Sequence, residues 1–294
     1  MNGRRILRIC ALLLLFVEHP FAAAESDGLI VRYPREEMPG DQRNTYPLQL
    51  LSLALAHEHA KVTLTPSPDP MPQSRGLRQL AERKIDVLWT MTSHARERDF
   101  LPIRIPIHKG LIGWRLLLIR ADQQSRFAPI DNADGLKALR AGQGHDWPDT
   151  TILQANDFLL TSATNYHSLF KMLHAGRIDY FPRSVVEIWE ELEAHEYLGL
   201  AVESHLVIVY PTAFYFFVHK DNVPLATTIE NGLEAAIKNG QFDELFHQHH
   251  LPALQRAQLA SRRIIRLPNP ELPEKTPLHR KALWFQPESM PARD

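Results

Sequence analysis

The chain has 294 residues, with 33 basic against 34 acidic side chains, a formal charge of −1 and a single cysteine. So even a balance carries no electrostatic footprint for nucleic acid or for an anionic membrane surface. One cysteine excludes both an internal disulfide framework and a cysteine-rich metal site.

Residues 1–24 have a basic start (Arg4, Arg5, Arg8), an apolar run from Ile9 to Val17, and Ala22-Ala23-Ala24 ahead of Glu25. That order is the pattern of a secretory signal peptide with an Ala-x-Ala cleavage site, and the run is too short for a convincing membrane span. Export to the periplasm and a mature chain beginning at Glu25 are therefore expected. Cys10 lies inside the apolar run and lacks the small residues that precede a lipoprotein site, so neither a lipid anchor nor thiol chemistry is expected. Removing 1–24 takes away three Arg and one Glu, leaving 30 basic and 33 acidic side chains and a charge of −3.

Leu29 to Tyr33 reads as a strand ending in Tyr33-Pro34. Pro47 to His59 reads as a helix with its leucines on or near one face, and Lys61 to Thr65 as a β-branched strand. His57 and His59 flank Glu58, a spacing that does not put two imidazoles on one helical face, so they read as a surface pair. Arg75 to Lys84 is a short amphipathic helix, and Ile85 to Trp89 a buried strand. The chain then turns polar and places Thr90, Thr92, Ser93 and Arg96 at the strand's carboxyl end, where open α/β sheets bind ligands. A guanidinium among hydroxyls suits an anion, because arginine presents a planar fork of donors that fits a carboxylate. The plainer alternative is a solvated loop arginine beside Glu97 and Asp99. Leu101 to Ile107, with Pro102 and Pro106, fits an edge or crossing strand. Gly113 to Arg120 is apolar enough to be buried and opens a new series of strands and helices.

In that series Leu136 to Arg140 reads as a helix and Arg140 to Gly144 as a strand, followed by a loop through His145, Asp146 and Trp147 to Pro148 at a first helical turn. Asn165 caps a helix to Ala175 that Gly176 closes, and Arg177 to Ser184 forms the next strand. Leu206 to His219 is strongly β, and Pro224 to His250 is helical with a break at Asn239-Gly240. His247, His249 and His250 do not converge at helical spacing, which favours a frayed helix end over a metal cluster. Beyond Leu251 runs a proline-rich tail, residues 251–294, expected to dock on the surface through Leu283-Trp284-Phe285. The order favours two lobes, 25–115 completed by 206–250 and 116–205, with crossings near 113–120 and 206–219 serving as a hinge.

Three stretches, Lys84-Ile85-Asp86-Val87, Ser93-His94-Ala95-Arg96 and Arg177-Ile178-Asp179-Tyr180, carry a resemblance that extends over roughly residues 28 to 250. In this order they resemble the signatures of bacterial extracellular solute-binding proteins of family 3, as a divergent member. The resemblance implies an α/β, two-lobe periplasmic-binding-protein-like clamshell of type II with two hinge crossings. It further implies that Arg96 clamps a ligand carboxylate and that the Tyr33 ring covers the ligand, an ordinary strand terminus being the alternative. The loop at Gly144 would bind a carboxylate through backbone N–H groups. His145, Asp146 and Trp147 replace the family's Ser or Thr there, either touching the ligand or capping and packing the helix. Five residues past Asp179, where amino-acid binders carry a second aspartate for the ligand's amino group, this chain has Ser184, with Arg183 beside it. Glu187, one turn on, either restores a negative charge or faces solvent with Glu190 and Glu191.

These residues lead to a periplasmic solute-binding protein of an ABC transporter, closing on a small polar, anionic solute. A ligand-sensing or adaptor protein acting on a membrane receptor is the alternative, followed by a lyase or dehydratase on the same fold. Against an enzyme, the sequence has no Gly-x-Ser-x-Gly elbow and no zinc signature. No cofactor or metal is called for. The expected partners are a small-molecule ligand and a membrane transporter or sensor, with no nucleic acid, and the expected state is monomeric.

Overall fold

The computed structural model describes residues 28–37 and 42–286. The stretch read as a signal peptide, 1–24, and its cleavage point before Glu25 lie outside the described residues. The chain opens with β1 (Leu29–Arg35), α1 (Thr45–Leu55) and β2 (Val62–Pro70), the two strands pairing in parallel. α1 buries Tyr46, Leu50, Leu51, Ala54 and Leu55, the stripe that its leucine spacing dictates. α2 (Gln73–Ala81), β3 (Val87–Met91), α3 (His94–Asp99) and β4 (Phe100–Ile103) follow. A crossing, residues 104–113, then carries the chain to β5 (Trp114–Arg120) in a second sheet.

There the chain runs through α4 (Gln124–Phe127), α5 (Ala133–Lys137), β6 (Ala141–Gly144), α6 (Pro148–Ala155), β7 (Leu160–Ala163), α7 (Tyr166–His174), β8 (Tyr180–Ser184) and α8 (Ile188–Ala194). Next come β9 (Leu200–Val202) and β10 (Leu206–Val209), and residues 210–213 return the chain to β11 (Phe214–His219). α9 (Val223–Asn239) and α10 (Gln241–Ala257) are separated by Gly240, at φ +86°, a conformation that glycine adopts without steric cost. β12 (Arg263–Arg266) is the last strand.

β11 lies between β3 and β4, antiparallel to both, and the β1–β2 pair abuts β3. The second sheet has the order β12-β10-β5-β8-β6-β7, with β9 also paired to β5. The two motif aspartates serve this architecture in the same way. Asp86 accepts the Arg32 backbone N–H at 2.8 Å and pairs with its guanidinium at 2.7 Å, tying β1 to the entry of β3. Asp179 accepts the Arg140 backbone N–H at 2.7 Å and pairs with Arg126 at 2.6 Å, tying the entry of β6 to that of β8. Two of the three stretches that carried the resemblance therefore build strand junctions, β1 to β3 and β6 to β8.

The two crossings run side by side. The Tyr210 N–H donates to the Gly113 carbonyl at 3.1 Å, and the Ile107 N–H to the Phe214 carbonyl at 3.0 Å. A Cβ on Gly113 would stand 2.1 Å from the Tyr210 carbonyl oxygen, so the approach requires glycine. One apolar cluster extends from Leu50, Phe216 and Leu233 on the first-sheet side to Leu118, Phe170 and Phe181 on the second. Another, with Leu117, Ile152, Tyr180 and Ile208, fills the second sheet's other face.

Several expectations need correction. Gly113 to Arg120 is not itself the crossing: β5 is an interior strand of the second sheet, and the crossing precedes it. Leu206 to His219 is two strands in different sheets, broken where Pro211 lacks a donor for the ladder. β3 runs two residues further than Trp89, placing Thr90 inside the strand. Residues from 251 are not an irregular tail at once, because α10 continues to Ala257 and β12 adds to β10 in parallel.

Beyond β12 the tail crosses from one sheet to the other. Asn269 donates to the Pro211 carbonyl at 2.8 Å, and Arg280 grips Glu234 of α9 with two bonds of 2.6 and 2.9 Å. Leu283 is 1% exposed, and the Phe285 N–H donates to the Lys109 carbonyl at 2.8 Å. Among the described residues no helix is long and apolar enough to cross a membrane.

Candidate ligand-binding site

A cavity of about 410 Å³ lies between the two sheets, within the size range of small-molecule sites. The first sheet contributes Trp89 from β3, Phe214 from β11 and Tyr46 from α1, with His108 from the first crossing and His249 and His250 from α10. The second contributes Arg115, Trp147, Asp149, Arg183 and Glu187. Glu36, Glu37, Glu190, Arg35 and Arg43 complete the charged lining. Five carboxylates thus meet four guanidiniums among the described residues.

The wall from the second sheet is a chain of alternating charges. Arg115, 2% exposed, pairs with Asp149 and donates from Nε to the Tyr210 hydroxyl at 2.9 Å, while that hydroxyl donates to Asp149. Arg183 holds Glu191 through Nε–Oε2 and Nη2–Oε1 contacts of 2.7 and 2.5 Å, and the Tyr166 hydroxyl donates to the same carboxylate at 2.7 Å. Glu187 Oε2 stands 3.1 Å from Arg183 and 3.6 Å from Arg115, joining the two pairs. Burial alone would lower the pKa of both arginines, and the surrounding carboxylates more than offset it, so both lie above the ordinary guanidinium value. Two cations and three anions leave one negative charge. The Glu187 side chain is 19% exposed, against 6% for Asp149 and 4% for Glu191, so it is the member most open to the cavity.

The histidine wall is uncharged at neutral pH. His108 Nδ1 and His250 Nε2 are 3.1 Å apart, so one ring nitrogen carries the hydrogen and the other accepts it. Desolvation pushes His108 down to about 3 and His250 well below the usual imidazole value. Tyr46 spaces the group: its hydroxyl donates to the Ile107 carbonyl at 2.6 Å and its ring lies 4.4 Å from that of His250. His249 contacts Gln49 Oε1 at 2.6 Å, whereas His247 is exposed. His249 and His250 are therefore cavity residues within an intact helix, not a frayed end. No three metal-ligating side chains converge among the described residues.

Of the twelve residues picked from the sequence, Trp147, Arg183 and Glu187 reach the cavity wall. Arg96 is placed otherwise. Its guanidinium, 7% exposed, donates to Thr90 Oγ1 at 2.8 Å, to the Met91 carbonyl at 2.7 Å and to Gln73 Oε1, and reaches across to the Asp146 carbonyl at 3.3 Å. Burial lowers its pKa to about 10, so it stays protonated at neutral pH. Thr92 donates to Glu97 at 2.7 Å, and Ser93 caps α3 by accepting the Arg96 N–H. Ser184, fully buried, donates to the Leu111 carbonyl at 3.1 Å and so anchors β8 to the first crossing. His145 is exposed, and its backbone N–H is bound to the Ala163 carbonyl at 3.1 Å. The Gly144 carbonyl accepts from the Trp147 N–H at 3.1 Å and the Thr150 hydroxyl at 2.6 Å, so the loop's polar groups serve the loop itself. Tyr33 packs behind Trp89 with ring centroids 5.8 Å apart, and it is Trp89 that forms the wall.

No family model matches this sequence, and no curated protein is detectably similar to it. Solved structures are similar in shape. An ancestral arginine-binding protein bound to arginine superposes with a TM-score of 0.57 at 16% identity, over 75% of this chain and 97% of that one. A histidine kinase sensor domain with similarity to periplasmic binding proteins gives 0.57 at 18% identity, over 76% and 96%. A putative L-cystine ABC transporter protein from Listeria monocytogenes gives 0.54 at 16%, again over 76% and 96%. Likeness at these identities establishes the fold, a two-lobe clamshell with the cleft between its sheets.

Proposed function

We propose that this clamshell is an exported solute-binding protein that closes its lobes on a small polar solute and hands it to a membrane transporter. The observation that carries the reading is a cavity walled from both sheets. Only a ligand that touches both lobes favours the closed arrangement, and this cavity offers groups from each. The N-terminal order of basic residues, apolar run and Ala-Ala-Ala supports export. We take the lobes to be 28–103 with 214–257, and 114–209 with β12. The anionic solute expected from the sequence is given up, because the lining carries more carboxylates than guanidiniums and Arg96 is engaged within the protein. The charged groups of the second-sheet wall are paired with one another and leave one carboxylate in excess, an arrangement suited to holding a solute rather than to transferring protons.

A sensor is the second reading. It is favoured by contacts that already join the lobes beside the cleft, where Trp189 donates to the Ala253 carbonyl at 3.1 Å and Arg256 pairs with Glu193 at 2.7 Å. Thermal-shift screening of the purified protein against amino acids, amines, organic acids and small peptides tests solute binding. A true ligand raises the melting temperature with concentration, by roughly 2.7 kcal/mol of stability at a hundredfold excess over its Kd. Trp147→Ala should weaken that response. A full panel without any shift would refute solute binding.

A further inference from the structure

We infer that the solute is an organic cation without a carboxylate, an alkylamine or guanidine whose positive group docks on Glu187. The inference deepens the solute-binding reading above and rests on it.

The groups that the sequence offered for holding a carboxylate, Arg96 and the loop before α6, are engaged within the protein. Arg96 spends its donors on Thr90, Met91, Gln73 and Asp146. The N–H groups of His145 and Trp147, in the loop before α6, are bound to the Ala163 and Gly144 carbonyls. The first turn of α6, where a helix start attracts anions, holds the protein's own carboxylate, Asp149, 4% exposed and paired with Arg115. A second anion beside Glu187 would meet like-charge repulsion.

The converse holds for a cation. The network of Arg115, Arg183, Asp149, Glu187 and Glu191 keeps one negative charge in excess, and Glu187 is its most exposed member. Its Oε2 is buried against the two arginines, so a solute's positive group would meet the part of the carboxylate side chain that is open to the cavity. The neutral histidines add no competing positive charge. For the body of the solute the cavity offers apolar surface: Met91, Ile112 and Phe214 line it, and Trp89, whose indole N–H is bound to Asn44 at 2.9 Å, presents only its ring.

Calorimetric titration with matched pairs tests this: agmatine against arginine, cadaverine against lysine, and pentylamine against pentanoate. The members of the first two pairs differ by one carboxylate. Each amine should bind at least about tenfold more tightly than its partner. Glu187→Gln should weaken amine binding by a similar factor, with circular dichroism confirming that the variant is folded. The wild-type pairs alone decide the matter if it is not. Arginine or lysine binding as tightly as its amine overturns the inference, as does a folded Glu187→Gln variant with unchanged amine affinity. Should none of the six probes bind while another solute raises the melting temperature in a Trp147-dependent way, the cation class falls and the solute-binding reading stands. Should no solute do so, both fall.

Discussion

Arg96→Ala separates a ligand clamp from an internal strut. The guanidinium satisfies Thr90, which is fully buried, the Met91 carbonyl and the Gln73 side chain. Truncation strips a charged donor from all three, and each orphaned buried group costs about 1–3 kcal/mol. Relief of the arginine's own desolvation, which lowers its pKa to about 10, offsets part of this. A net loss of about 3–5 kcal/mol is expected, which is large for a single substitution. In a chain of this size that lowers Tm by roughly 6–15 °C. Arg96→Lys should restore less than half of the loss, since an ammonium lacks the planar fork that reaches several acceptors at once. The assay is urea and thermal unfolding of solute-free protein. Wild-type stability together with lost solute affinity in Arg96→Ala would refute this reasoning and return Arg96 to the role of ligand clamp.

Acid should destabilise the fold through the histidine pair. The folded values of His108 and His250 are depressed by burial, so the unfolded chain takes up protons first; stability is full above about 6.5 and is lost as pH falls from there, for His108 down to about 3. Each histidine contributes about 1.4 kcal/mol per pH unit in that window, and a His108→Gln, His250→Gln double variant should show a flatter Tm profile between pH 6.5 and 4.5. Gly113→Ala forces a Cβ to within 2.1 Å of the Tyr210 carbonyl oxygen, and should lower Tm by several degrees and broaden the transition as the two crossings part. Glu203, fully buried, accepts the backbone N–H groups of His205 and Leu206 at 2.9 and 2.6 Å, so Glu203→Ala should cost about 2–4 kcal/mol by urea denaturation. A chain ending at Asn269 exposes the groove that Leu283 fills and should melt several degrees lower than the full chain.

What the sequence displayed well was local periodicity. The leucine stripe of α1, the Asn165 cap of α7, the Asn239-Gly240 break and the two motif aspartates depend on neighbours within a few residues or on a repeated pattern. The end of β3 was harder to read, because Thr90 and Met91 look like the start of a loop until β11 pairs with them, Thr90 opposite Tyr215 and Met91 opposite Phe214. The cavity wall was harder still. His108 meets His250 across 142 residues, and Arg115 finds Asp149 on a different element. No spacing rule connects such partners. Arg96 shows the complementary difficulty: its motif is visible, yet whether its donors face a solute or Gln73 is decided by a helix that precedes it by about twenty residues. Ser184 looked like a hydroxyl offered to a ligand because its partner, the Leu111 carbonyl, belongs to the crossing.

The C-terminal tail bears on how far the cleft can move. Two bodies joined by a pair of adjacent connecting segments can swing about the line through them, and the crossings at 104–113 and 210–213 are such a pair. The tail adds a third attachment: β12 grows out of the second sheet, and Arg280, Leu283 and Phe285 fasten onto α9, the core and the first crossing. For the proposed closing of the lobes, this attachment would limit the stroke to the slack between Asn269 and Arg280, where Pro270, Pro273 and Pro277 stiffen the chain. On the proposed reading, solutes would be sorted twice, first by the width to which the cleft opens and then by whether their charges suit Glu187.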